Sequence, residues 1–228
     1  MHVRDLRAFE WLPLAQACIA QCEAFATEFN FEEIDPVALQ AALQLPEGQT
    51  LDVLLTPGAW NNLDRYARKK LGAEAADFRH QHPMSVSTAL STAFLSEEAS
   101  QSLDETLWTF ARSQGKTTTG VETFADQLHT LRAISLEQHI KSLTWLLKNF
   151  NRQKRRIKKM LQWYAAGDLQ PLYKAAKKDA KGMRKILIYR RNKHMAKRFE
   201  EICTSQSLFC AVGAGHLAGD KGMLRLLK

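Results

Sequence analysis

Apolar residues recur along most of this chain at the spacing of an amphipathic helix. Leu14, Cys18 and Cys22 mark one face of a first helix over about 12–24, with Phe25 next in the series. The period then shortens to two. In FATEFNF, Phe25, Thr27, Phe29 and Phe31 alternate with Ala26, Glu28 and Asn30, the pattern of a strand carrying a carboxylate on its less apolar face. Asp35-Pro36 opens a short helix, because proline is tolerated at the first helical position. Residues 50–71 read as helix, a break at Thr56-Pro57-Gly58, and helix again up to Gly72. Helices follow over 83–94 and 104–113, the second closed by Gly115, and KTTTGVE (116–122) reads as a short strand.

Thr123 with Asp126 three residues on is a weaker form of the capping box, and Ser135 with Gln138 a cleaner one. The latter opens a long basic helix over roughly 136–166, striped by Ile140, Leu143, Leu147, Phe150, Ile157, Leu161 and Tyr164. LFCAV (208–212), followed by glycines, reads as a buried strand, and Gly219 or Asp220 begins a last helix. No internal repeat, low-complexity tract or Pro/Ser linker interrupts the chain. Few strands among many helices predict an α/β (α+β) fold, a small central mixed sheet with helices around it. In such sheets sites collect where strands end and helices begin.

At 228 residues, 45% apolar and 25% charged, the chain has the composition of one globular domain. No stretch approaches the ~18 to 20 apolar residues that a membrane span requires. The net charge of +8 conceals a polarity: residues 148–198 hold 18 Lys/Arg against Asp168 and Asp179, and the remainder is net acidic. The four cysteines, Cys18, Cys22, Cys203 and Cys210, lack the spacing of a zinc knuckle and read as free, mostly buried thiols.

Four features could carry chemistry. Gly213-Ala214-Gly215-His216 follows the last strand directly, where glycines allow close backbone approach and a histidine is placed for metal binding or proton transfer. The plain alternative is a tight turn with an incidental histidine. Met1-His2-Val3-Arg4-Asp5 means little in isolation. Glu28 and Glu122 each lie on a short apolar or hydroxylic strand segment, where a half-buried carboxylate must be paired, metal-bound or shifted in pKa. A salt-bridged structural glutamate satisfies the same pattern. Arg191-Asn192 interrupts the amphipathic pattern of YRRNKHMAKRF, although most such pairs are simply solvated.

Together these blocks resemble the TraB/GumN (Tiki-like) family. AVGAGHLAGDKGMLRLL (211–227) is similar to its GxxH ending, and GDLQPL (167–172), RNKHMA (191–196), LDETLWTFARSQGK (103–116) and GVETFADQL (120–128) resemble its other blocks in order. The opening MHVRD resembles the second half of the family's first GxxH motif, without the glycine and threonine expected before it. The resemblance implies an EreA/ChaN-like α/β fold, one domain over 1–228 with a helical insertion at roughly 36–115, cut at both ends. A signal or lipoprotein segment upstream would then be lost, so the compartment stays open, cytoplasmic only as the chain stands. The resemblance also implies a metal-dependent hydrolase, most of all a peptidase. His2 and His216 match the metal-ligating histidines, with Mn, Co or Zn as the ion. Glu28, Glu122, Arg191 and Asn192 match catalytic positions, with Gly213 and Gly215 framing the second motif. Two imidazoles and a carboxylate can hold an ion and leave a position for water, while a second carboxylate serves as base.

Two other readings stand beside this one. The same fold serves non-catalytic roles, including haem or small-ligand binding and regulation. The basic segment 148–198 offers a surface for anionic partners, nucleic acid or lipid, against the bland reading of a solvated helix face. A peptide or small-molecule substrate is the partner expected under the first reading.

Overall fold

The computed structural model describes residues 3–180 and 182–228. In chain order its elements are α1 (Leu12–Ala20), β1 (Ala24–Phe29), α2 (Pro36–Ala42), α3 (Leu51–Leu54), α4 (Pro57–Leu71), α5 (Pro83–Thr92), α6 (Leu103–Ser113), β2 (Thr117–Glu122), α7 (Phe124–Arg132), α8 (Leu136–Lys148), α9 (Phe150–Ala165), α10 (Leu169–Asp179), α11 (Arg191–Cys203), β3 (Leu208–Cys210) and α12 (Met223–Leu226). Short 3-10 turns lie between several of them, and a π-helical stretch, Lys185–Arg190, runs straight into α11. The α/β class is as expected. The sheet, expected as mixed, is parallel throughout its three described strands.

The chain divides into two compact units. One takes Met1–Ile34, Glu97–Leu131 and Met160–Lys228, the other Asp35–Ser96 and Arg132–Lys159. The first holds the sheet, in the order β2-β1-β3. Because β1 is central, Ala24, Phe25 and Ala26 are all fully excluded from solvent, as parallel sheets covered on both faces require. Phe25 faces a cluster with Ile19, Leu107, Trp108 and Ala111 from α1 and α6. Ala26 faces the opposite cluster, with Val121, Met195, Ile202 and Met223 from β2, α11 and α12. The alternation read in FATEFNF is thus real, and it turns Glu28 to the α11 side. The strand stops at Phe29 because Asn30 leaves it to accept from the Glu32 N–H and start a turn.

In the helical unit, Leu51, Leu63, Val86, Leu90, Leu143 and Leu147 form a core with no solvent exposure. Phe150 stacks on Tyr66 with ring centroids 3.6 Å apart and takes the edge of Phe94 at 4.8 Å. Asp35 and Thr56 cap α2 and α4, and Gly72 ends α4 at φ 64°, as the turn chemistry predicts.

Four readings of local structure need correction. The single helix expected over 136–166 is two, because Asn149 leaves helical geometry (φ −113°, ψ 26°) and its Nδ2 donates to the Trp145 carbonyl. The capping boxes exchange rank. Thr123 and Asp126 make both reciprocal bonds, at 2.8 and 3.1 Å, whereas Ser135 takes the Gln138 N–H alone at 3.3 Å. The carboxylate is the stronger charged acceptor for an orphan N–H. Of the thiols, Cys203 is exposed and the other three are half-buried, so their burial is only partial. The last helix starts at Met223, after a turn in which Gly219 adopts φ 90°.

Candidate functional site

The three strands run parallel, so their C-terminal ends share one edge of the sheet. Glu28 is the penultimate residue of β1 and Glu122 the last of β2. Arg191 opens α11 immediately after the π-helical stretch, a local under-winding that often occurs where a helix serves a site. Its Nη2 donates to Glu28 Oε2 and to Glu122 Oε2, both at 2.6 Å. Its Nε donates to Glu122 at 2.9 and 3.1 Å. One guanidinium therefore bridges two strand-end carboxylates, with side-chain exposures of 14% for Arg191, 26% for Glu28 and 2% for Glu122.

The electrostatics follow from that geometry. Burial acts to raise the Glu28 pKa, but Arg191, His216 and the Gly213 N–H overcome it and hold the carboxyl down to about 2, so it is ionised. Burial disfavours the Arg191 charge, yet its bonds to both glutamates raise its pKa all the same. Burial is the largest influence on His216 and lowers its pKa, with Glu28 pulling the other way, so the imidazole is neutral at neutral pH.

Asn192 is fully buried and every polar atom of its side chain is used. Nδ2 donates to the carbonyls of His216 (3.2 Å) and Lys221 (2.7 Å). Two carbonyl partners fix the amide orientation, so Oδ1 is the atom at 2.5 Å from His216 Nδ1. The proton consequently sits on Nδ1, and Nε2 keeps an open lone pair. Gly213 is required by close approach: its N–H donates to Glu28 Oε1 at 2.8 Å, and a Cβ there would lie 2.9 Å from that oxygen and 3.6 Å from His216 Cδ2. Glu28 and the Nε2-bearing side of the imidazole thus meet over one glycine. A Cβ on Gly215 would come within 2.8 Å of Ala176 Cβ. That glycine is needed for packing against α10.

The structure therefore gathers Glu28, Glu122, Arg191, Asn192, Gly213 and His216 at one sheet edge, with Gly215 supporting the turn. His2 lies outside the described residues. Sequence reasoning missed Gln127, whose Nε2 donates to Glu122 Oε2 at 2.6 Å. The signal was available in the capping box at Thr123, which places the first turn of α7 directly after the β2 carboxylate. A small cleft beside Glu28 and Gly213 is lined by Thr27, Phe29, Phe31, Asp104 and Ala211.

Among the described residues, no three His, Cys, Asp or Glu side chains converge as a metal cage. The donor set they do offer is partial: one imidazole nitrogen with its lone pair free and one ionised carboxylate beside it.

A family model described as TraB/PrgY/gumN matches residues 1–228. The chain is similar to a protein of Danio rerio named Metalloprotease TIKI2, at 23% identity over an alignment of 291 residues. That alignment takes in 100% of this chain and 55% of the relative, so the chain spans about half of that protein's length. No solved structure matches the chain significantly.

Proposed function

The chain belongs to the TraB/PrgY/gumN family, and from that premise we propose that it is a metal-dependent hydrolase acting on peptide bonds. One observation carries the proposal: Asn192 leaves His216 Nε2 unprotonated while Arg191 holds an ionised Glu28 across the same glycine. Asn192 is fully buried and Arg191 largely so, and both direct their polar atoms at the histidine and carboxylates that a ligand set would use.

In this reading His216 Nε2 and Glu28 hold a divalent ion, and the resemblance adds His2. Such an ion, when bound, supplies a water of lowered pKa and polarises a carbonyl. Everything else is done by the chain. Glu28, with a pKa held near 2, is a poor proton acceptor and a good anionic ligand. Arg191 spends its Nε and Nη2 bonds on the two carboxylates, so it orients them instead of receiving a developing oxyanion. Asn192 fixes the histidine tautomer, the outer-shell role that metal-ligating imidazoles need. Gln127 and Arg191 together fix Glu122. The name of the relative supports a peptide substrate for this chain.

Calorimetric titration with Mn²⁺, Co²⁺ and Zn²⁺ tests the proposal, run beside His216→Ala and Asn192→Ala. Micromolar binding that His216→Ala abolishes and Asn192→Ala weakens by about 10- to 100-fold is expected. Equal binding by all three proteins, or no binding, would sink it.

A further inference from the structure

The basic run 148–198 is divided between the two units. The fold assigns 148–159 to the helical unit and the remainder to the sheet unit. Within the helical unit, Gln138 to Lys159 holds eight Lys/Arg and no Asp or Glu, and of these Lys141 pairs with Glu137. Leu143, Leu146, Leu147 and Phe150 turn into the core, each at most 5% exposed, and Ile157 packs against them. The solvent side of α8 and α9 is fixed by that burial. Trp145 and Lys148 are exposed on α8, and Arg152, Arg155, Lys158 and Lys159 are exposed on α9. Among the described residues Lys148, Arg152, Lys154, Arg155 and Lys158 make no ion pair. Trp145, a large indole, is 43% exposed.

We propose that this face of the helical unit docks on an anionic membrane surface, with its cations over lipid phosphates and Trp145 in the headgroup layer. Charge complementarity supplies the attraction, and a cation near such a surface strengthens binding about fivefold. The indole chooses between lipid and nucleic acid. An amphipathic ring flanking a basic run suits the membrane interface. Single-stranded nucleic acid instead calls for several aromatic platforms along the charged track, and here Phe150, the aromatic within 148–159, is buried. The docking is peripheral: no helix of the described residues is long and apolar enough to cross a membrane.

Flotation of the full chain with phosphatidylcholine vesicles, with and without phosphatidylglycerol, tests this. Binding is expected with the anionic vesicles alone, falling as salt rises. The variant Lys148→Gln/Arg152→Gln/Arg155→Gln should bind about a hundredfold more weakly at an unchanged melting temperature. Lys193→Gln/Lys197→Gln, in the sheet unit, should bind like wild type. Trp145→Phe, which needs no charge change, should lose the blue shift of tryptophan emission that vesicles induce. The proposal is overturned by equal binding to neutral vesicles, by an unaffected triple variant, or by an equal loss in the Lys193/Lys197 variant. Tighter binding to a single-stranded oligonucleotide than to vesicles at matched phosphate would overturn it as well.

Discussion

Replacing Arg191 by glutamine removes the cation that bridges Glu28 and Glu122 while keeping a polar side chain in place. The bridge is far from a surface ion pair. Its guanidinium is 14% exposed and its two carboxylates 26% and 2%. Exposed pairs contribute about 0–1 kcal/mol, whereas stripping one partner from a buried pair costs about 3–5 kcal/mol. The pKa of Glu28 leads to a similar figure. Its fall from 4.5 to about 2 corresponds to about 3 kcal/mol at about 1.4 kcal/mol per unit. The pH dependence has a definite sign. A carboxyl whose folded pKa lies below its unfolded value gives its full stabilisation above 4.5 and loses it as pH falls toward 2. In the variant, burial acts on Glu28 without Arg191 to oppose it, so the charge is most costly at neutral pH and is relieved by protonation. Urea unfolding of chelator-treated protein should therefore show a deficit of about 3–5 kcal/mol at neutral pH that begins to narrow above pH 4.5, as Glu28 of the variant protonates, and goes on narrowing toward pH 2 as the wild type loses its own contribution. A deficit under about 1 kcal/mol, or one constant across the whole range, would refute the reasoning.

Three further outcomes follow from the same structure. Gly213→Ala puts a methyl 2.9 Å from Glu28 Oε1 and should lower metal affinity by about 10- to 100-fold in calorimetry, as outer-shell disturbances do. In the helical unit, burial and then the neighbouring His139 depress the His82 pKa to about 4, so its contribution is full above 6.5 and disappears as pH falls toward 4. His82→Asn, which keeps an acceptor for the Met84 N–H, should flatten the melting temperature over that window, a range above the one Glu28 governs. Phe150→Ala empties the site between Tyr66 and Phe94 and should cost about 3–5 kcal/mol in thermal or urea unfolding.

Much of the local structure is legible in the residues because local physics decides it. The alternation in FATEFNF puts Glu28 on the face of Ala26, and Asp35, Thr56 and Gly72 mark helix ends through hydrogen bonds that stay within one turn. The break at Asn149 was hidden, since Leu147 and Phe150 continue the apolar stripe across it. The strand order β2-β1-β3 leaves no trace in periodicity, because nothing local tells one parallel neighbour from another. The division into two units was equally silent, for no linker composition marks Ile34 or Ser96. Of the site, the ingredients were visible and the connections were not. YRRNKHMAKRF shows adjacent arginines, and only packing makes Arg190 an exposed residue and Arg191 the one that turns inward to two carboxylates.

The interleaving of the two units has a kinetic consequence. Pairing β1 with β2 closes a loop that contains Asp35–Ser96, and joining that segment to Arg132–Lys159 closes another that contains β2. Each unit, once formed, shortens the chain the other must fold back on itself, and loop-closure entropy falls with it. The Glu28 contacts to Arg191 and Gly213 span 163 and 185 residues, the kind of distant contact that slows folding. A lesion deep in the helical unit, remote in sequence from every proposed ligand, will therefore delay assembly of the sheet edge. Recovery of metal binding during refolding will lag behind recovery of helix.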